Sequence, residues 1–246
     1  MIASLPMYDR DELRSDTDRL WQAIRDRLGC GPDHLTRGGD AWDDWQSPDL
    51  LLSQTCGYPY RARLHDKVAL VGTPDYRLDG CGPGEYRSVF VARKTDARTD
   101  PADFATARFA YNEPMSQSGW AAPATWAMAR GFAFTDTLRT GGHQASARAV
   151  AEGQADLAAL DAQSWRLIQR FDDFAAQLRV IAATDPTPAL PFITAPSNDA
   201  DRIFRAIEAA IGTLPHDTRE ALDLRGIVRL PSQAYLAVPT PVPPPA

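Results

Sequence analysis

The chain has 246 residues, 44% hydrophobic and 24% charged, with 26 Lys plus Arg against 32 Asp plus Glu for a net charge of −6. That length suffices for one or two domains with their own cores, and the acidic balance argues against nucleic acid or anionic lipid as a partner, since both demand excess cations. No apolar run approaches the ~18 residues of a membrane span, and four His and three Cys leave little for a metal centre, so a soluble protein with a small-molecule site and no cofactor is expected.

Ile2–Leu5 reads as a first strand, too short an apolar run for a secretory leader, which needs about 7–15 apolar residues. The chain as written is therefore expected in the cytoplasm, unless a leader has been removed. Asp9 with Glu12 matches a capping box. Leu13, Leu20, Trp21, Ile24 and Leu28 then recur at helical spacing until Gly29 and Gly31. Asp49–Gln54, Lys67–Gly72 and Tyr86–Lys94 read as buried strands, giving a βαβ-like first third with a largely parallel sheet. Cys30, Cys56 and Cys81 lack C-x-x-C spacing and are expected as free thiols, with a Cys30–Cys81 disulfide as the alternative.

The middle continues the alternation. Arg108–Tyr111 predicts a strand, Trp120–Pro123 a helix start running to about Gly131, and Ala133–Leu138 a strand. After Gly141-Gly142-His143 a helix is expected to about Gly153, then a strand over Asp156–Leu160, a helix over Ala162–Phe171 and a strand over Leu178–Ala182. Ala189–Thr194 reads as a returning strand. Ile203, Ile207 and Ile211 share one face of a helix capped by Asn198 or Asp199, and His216–Leu222 reads as the last helix. The proline-dense end from Pro239 predicts an extended tail. Lobes of 1–94 with 190–238 and of 95–189, plus a tail of 239–246, follow from these crossings, with a ligand cleft between the lobes.

Two segments carry the chemistry. Ser116-Gln117-Ser118-Gly119 lies between a strand and a helix, where unpaired first-turn N–H groups and hydroxyls suit an anion. Gly119 removes a Cβ where a ligand oxygen has to come close; the alternative is that Ser116 or Ser118 merely caps the helix. Gly142-His143 is a second helix start, with an imidazole able to donate to an oxyanion or simply to sit at the surface. Ser118, His143 and Asp161 have the residue types of a hydrolase triad, but no G-x-S-x-G surrounds a serine. No H-x-x-x-H or C-x-x-C suggests a metal, and Gly80–Gly84 reads as a turn. Ser53–Tyr58 is the most polar strand exit of the first lobe, and ligands lie beyond the carboxyl ends of such strands.

Asn112-x-Pro114-x-Ser116-x-Ser118-Gly119-x-x-x-Pro123, Gly142-His143 and the run from Ala149 to Asp156 resemble the phosphonate/phosphate-type periplasmic substrate-binding proteins of ABC importers. The resemblance implies a type II periplasmic-binding-protein fold: two α/β lobes, each a mixed, mostly parallel sheet flanked by helices. It also implies a non-catalytic, monomeric protein that binds a small anionic solute, phosphonate- or phosphate-ester-like, and hands it to an ABC permease from the periplasm. Phosphoryl contacts fall on Ser116, Gln117, Ser118 and His143, further ligand contacts on Asn112 and Gly119, and first-lobe contacts on Tyr8, Thr55, Cys56, Gly57 and Tyr58. Asp161 and Gln163 are the expected second-lobe contacts. Gln163 and Ala189 stand where aminophosphonate binders place carboxylates, so an aminoalkyl phosphonate is not expected. Gln117 replaces a small hydroxyl residue of the family pattern. The alternatives are a cytosolic enzyme of vitamin or quinone-precursor biosynthesis on the same fold, or a ligand-sensing module.

Overall fold

Strands and helices alternate from Ile2 to Leu236 in the computed structural model, which describes residues 1–245. The chain divides into two units: Met1–Glu85 with Pro188–Ala237, and Tyr86–Thr187 with the stretch from Val238 onward. The first boundary falls before the Ser88–Arg93 strand, earlier than residue 94, because that strand pairs on both sides with strands of the second unit. The proline-dense end is not a separate tail either. The Trp120 indole N–H donates to the Val242 carbonyl at 2.9 Å, and the second unit claims that stretch.

The first unit is built on a sheet ordered Ile2–Ser4, Leu50–Gln54, Phe192–Thr194, Ala69–Asp75, Gly226–Val228. Phe192–Thr194 runs antiparallel to both of its neighbours and Gly226–Val228 antiparallel to Ala69–Asp75. The helix Arg14–Leu28 buries Leu20, Trp21, Ile24 and Leu28, as its periodicity requires, and ends at Gly29 with φ +66°. Its start differs from the capping-box expectation. A 3-10 turn, Asp11–Leu13, precedes it, Arg10 pairs with Glu12, and the Asp9 carboxylate accepts from Arg37 instead. The helix Ala200–Thr213 is capped by the Asp199 carboxylate on the Arg202 N–H and buries Ile203, Ile207 and Ile211. It lies so close to the sheet that a Cβ on Gly72 would stand 2.7 Å from its Phe204, and Ile227 of the adjacent strand would be 2.8 Å away.

Several elements here exceed the sequence reading. The short helix Ala41–Gln46 carries Trp45 into the core, where its indole N–H meets Ser53 Oγ and the Gln54 carbonyl. The helix His216–Ala221 is followed by Gly226–Val228 and by a last helix, Ser232–Leu236. Tyr235 of that helix is buried, its hydroxyl bonded to Thr73 and to the Ala189 carbonyl, and burial pushes its ionisation up.

The second unit's sheet is ordered Asp136–Arg139, Arg108–Tyr111, Leu157–Asp161, Ser88–Arg93, Leu178–Ala183. The first three strands are mutually parallel, and Ser88–Arg93 runs against both of its neighbours. A majority of strands therefore share one direction, although the reversed interior strand makes its own pairings antiparallel. Alternate residues bury two faces. Val89, Val91, Ala158 and Leu160 pack with Ala147, Val150, Trp165 and Ile168, while Phe90, Ala92, Leu157 and Ala159 pack with Phe109, Trp120, Ala127 and Phe134. Covered faces leave the strand ends as the places where polar groups meet solvent. All three cysteines are free thiols, so the Cys30–Cys81 alternative is not formed. No helix among the described residues is long and apolar enough to cross a membrane.

Candidate functional site

Three parallel strands of the second unit end side by side, and each leads into a helix from its carboxyl end. Arg108–Tyr111 leads through Asn112 to a π-turn, Gln117–Ala121, which continues as the helix Ala122–Met128. That start is earlier than Trp120. Wider turns of this kind concentrate at functional positions, and here the Ala121 N–H reaches back to the Ser116 carbonyl at 3.0 Å. Asp136–Arg139 leads through Gly141 and Gly142 to the helix His143–Ala151. Backbone bonds from Thr140 N to Tyr111 O and from Gly141 N to Asn112 O tie the two exits together at 2.9 and 3.0 Å. The two helix starts singled out in sequence are therefore neighbours.

Ser116 is the N-cap of the first start: its hydroxyl oxygen accepts the Gly119 N–H at 2.9 Å. Ser118, nearly fully buried, lies within 3.0 Å of His143 Nε2 through its Oγ, and its carbonyl accepts the Ser88 hydroxyl at 2.8 Å. Asn112 Nδ2 approaches the same ring nitrogen at 3.5 Å. Gly119 also makes room within the protein itself. A Cβ there would stand 1.9 Å from Asn112 Oδ1, so the missing side chain makes room for a neighbouring carboxamide. Burial alone pushes the His143 imidazole down to about 4, so it is neutral at neutral pH. Its Nδ1 is buried and has no hydrogen-bond partner. A hydrolase triad needs a carboxylate at that nitrogen, so Ser118, His143 and Asp161 do not form one.

The second helix start has no side-chain cap, because Gly142 occupies the N-cap position. Thr140 holds the loop before it, with its hydroxyl at 3.1 Å from the carbonyls of Tyr111 and Gly142 and at 2.6 Å from Ser146 Oγ. Ser88, Thr140 and Ser146 went unnoticed in sequence because nothing local marks a hydroxyl that supports another strand's exit.

The third junction is built otherwise. Asp161 ends its strand and caps Ala162–Phe171, its carboxylate accepting the N–H groups of Gln163 and Ser164 at 2.7 and 3.0 Å. Gln163 Oε1 in turn accepts from Arg166 at 3.3 Å. This helix start already holds an anion of its own.

In the first unit the expected contacts also stand at strand exits. Tyr8 follows Ile2–Ser4 and packs edge-on against Tyr76, with ring centroids 5.3 Å apart. Thr55 is fully buried, with its N–H on the Pro191 carbonyl at 3.0 Å. Cys56 is the N-cap of the helix opening at Gly57 and offers it no side-chain bond. Tyr58 lies under the Arg61 guanidinium, 4.5 Å from the ring centroid. Among the described residues no cluster of His, Cys, Asp and Glu is placed to hold a metal.

Comparisons with known proteins place the family and the fold. A family model described as "ABC transporter, phosphonate, periplasmic substrate-binding protein" matches residues 47–232. The fold is similar to that of PhnD1 from Prochlorococcus marinus, solved in complex with methylphosphonate, at 16% identity over 95% of this chain and 93% of that one, with a TM-score of 0.74. It is also similar to a binding-protein component of an ABC phosphonate transporter from Pseudomonas aeruginosa, at 17% identity over 92% and 80% of the two chains and a TM-score of 0.69. A histidine kinase sensor domain similar to periplasmic binding proteins shares the fold more distantly, at 14% identity over 87% of each chain with a TM-score of 0.56. No curated protein matches in sequence. With the match spanning most of its length, the chain belongs to the phosphonate periplasmic substrate-binding family of ABC transporters, a family of solute-binding proteins rather than enzymes.

Proposed function

We propose that this protein binds a small phosphonate- or phosphate-ester-like anion at the paired helix starts of its second unit, for delivery to an ABC permease from the periplasm. The observation that carries the reading is the 3.0 Å contact between Ser118 Oγ and His143 Nε2, which joins the two helix starts into one polar surface at adjacent strand ends. First-turn N–H groups lack helical acceptors and stand at the positive end of the helix dipole, so both starts favour negative charge. No Lys or Arg belongs to the segments Asn112–Ala121 or Gly141–Gln144. Neutral donors therefore provide the binding, which is compatible with a net acidic chain. In the first unit the surface that fits the same role is the strand-exit set Tyr8, Thr55, Cys56, Gly57 and Tyr58. Gln163, uncharged at the junction capped by Asp161, provides no counter-charge for an ammonium group.

Isothermal titration with methylphosphonate tests this reading. The wild-type protein takes up one equivalent, and Ser118→Ala weakens binding at least tenfold, since one hydrogen bond to a charged group is worth ~1.5–3 kcal/mol. Absence of heat for methylphosphonate, phosphate monoesters and sulfonates alike would remove the proposal.

A further inference from the structure

Trp120 stands inside the π-turn Gln117–Ala121, directly after Gly119 and two residues beyond Ser118. Its ring is nearly fully buried, packed against Phe109 and Tyr111 of the preceding strand with centroids 6.4 and 5.5 Å away. A buried indole N–H needs an acceptor, and this one finds it far along the chain, at the Val242 carbonyl 2.9 Å away. The direction of the bond is fixed, since an indole nitrogen only donates and a carbonyl only accepts. The segment that supplies the carbonyl, Pro239–Pro245, has five prolines in seven residues and no charged side chain. Proline removes N–H groups and fixes φ, so such a segment is extended before it docks, loses little entropy on docking and has chiefly carbonyls to offer. The Val242 side chain is 78% exposed, so this residue is held by its backbone rather than by burial of its side chain. The last helix before it, Ser232–Leu236, belongs to the first unit, whereas the chain from Val238 belongs to the second.

We propose that Pro239–Pro245 is a strap that positions the anion-binding turn through Trp120, so that docking of the strap and occupancy of the site favour each other; this rests on the anion site proposed above. A π-turn is a rare backbone form, found mostly as a single turn at functional positions. Bonds from outside grip this one on either side of Gly119: the Ser88 hydroxyl on the Ser118 carbonyl at 2.8 Å, and the strap on the Trp120 indole. Freeing the indole end lets the Ser118 hydroxyl and the turn's N–H groups lose part of their preset direction, and restoring it on binding costs affinity. Trp120 is in this sense a positioning residue, acting on the ligand only through its neighbours in the turn.

The test uses the full-length chain with methylphosphonate. Pro241→Gly, Pro243→Gly and Pro244→Gly together loosen the strap, while Trp120→Phe keeps a buried ring and removes the N–H. Each change is expected to weaken binding about fivefold by calorimetry, the worth of one neutral hydrogen bond, and the two combined bind no more weakly than either alone. Reciprocity requires saturating methylphosphonate to slow hydrogen exchange of the Trp120 indole N–H, identified by its loss in Trp120→Phe, about fivefold as well. A strap that only adds stability lowers the melting temperature when loosened and leaves the affinity of the folded protein as it was. Variants that bind within twofold of the wild type therefore overturn this proposal and leave the anion site standing. Losses that multiply in the combined variant, or indole exchange indifferent to the ligand, overturn it too. If Trp120→Phe does not fold, the loosened strap and the wild-type indole exchange decide. No binding of methylphosphonate by the wild type overturns the anion site and this proposal with it.

Discussion

Two kinds of strand-to-helix junction lie side by side in the second unit, and they differ in who supplies the negative charge. At Ala162–Phe171 the chain supplies it, because the Asp161 carboxylate takes the N–H groups of Gln163 and Ser164. At Gln117–Ala121 a neutral hydroxyl caps one N–H, and at His143–Ala151 there is no side-chain cap at all. The same topology therefore yields one closed start and two open ones, and a single residue type at the cap decides between them. On the proposed reading, the anion site is a place where the sequence has withheld a carboxylate.

The largest expected effect comes from closing an open start. Ser116→Asp keeps a good N-cap, so the melting temperature stays close to that of the wild type, but its charge excludes the ligand. Methylphosphonate affinity drops more than a hundredfold by calorimetry, in line with several kcal/mol for like charges brought together. Next comes the packing that keeps the start open. Gly119→Ala places a Cβ 1.9 Å from Asn112 Oδ1 and destabilises by roughly 1–3 kcal/mol in urea unfolding. The same substitution costs little in an Asn112→Ala background, where the obstructing oxygen is gone.

A third effect follows from the neutral imidazole. His143 ionises near 4 in the folded protein and near 6.5 when unfolded, so across that window the unfolded chain binds more protons. Stability is full above pH ~6.5 and falls as the pH drops toward ~4, by on the order of 3 kcal/mol from this residue. His143→Phe lacks that share of the acid sensitivity, read as the difference between the two proteins' unfolding free energies against pH. The smallest effect belongs to the closed start. Asp161→Ala loses the cap and about 1 kcal/mol of stability, and leaves methylphosphonate affinity at the other starts within a factor of three.

Much of this comparison was legible in the residues, and its limits are physical. The Ala162–Phe171 helix and the Ile203–Ile211 face follow from periodicity, which depends only on neighbours in sequence. Ser116-x-Ser118-Gly119 and Gly142-His143 announce helix starts for the same local reason. What occupies the space beside Gly119 is not local: a missing Cβ is visible in sequence, while the carboxamide that fills the gap comes from the end of the preceding strand. That the Asp161 carboxylate bonds the Gln163 and Ser164 N–H groups depends on how the following helix sits, which the residue types alone do not show. The Ala69–Asp75 strand outruns its expected end at Gly72 because Pro74, a strand breaker by itself, sits in register opposite Ile227. The unit boundary at Glu85 depends on the pairing partners of Ser88–Arg93, and an apolar run does not say which sheet it joins.

The central claim is that anions are bound at the open helix starts and not at the closed one. Amide chemical-shift mapping tests it most directly, by titrating methylphosphonate into isotopically labelled protein. The account predicts saturable downfield shifts of the Ser118, Gly119, His143 and Gln144 amides, while Gln163 and Ser164, already bonded to Asp161, keep their positions. Saturable shifts confined to Gln163 and Ser164, or no shifts in the segments around Ser118 and His143, would contradict it.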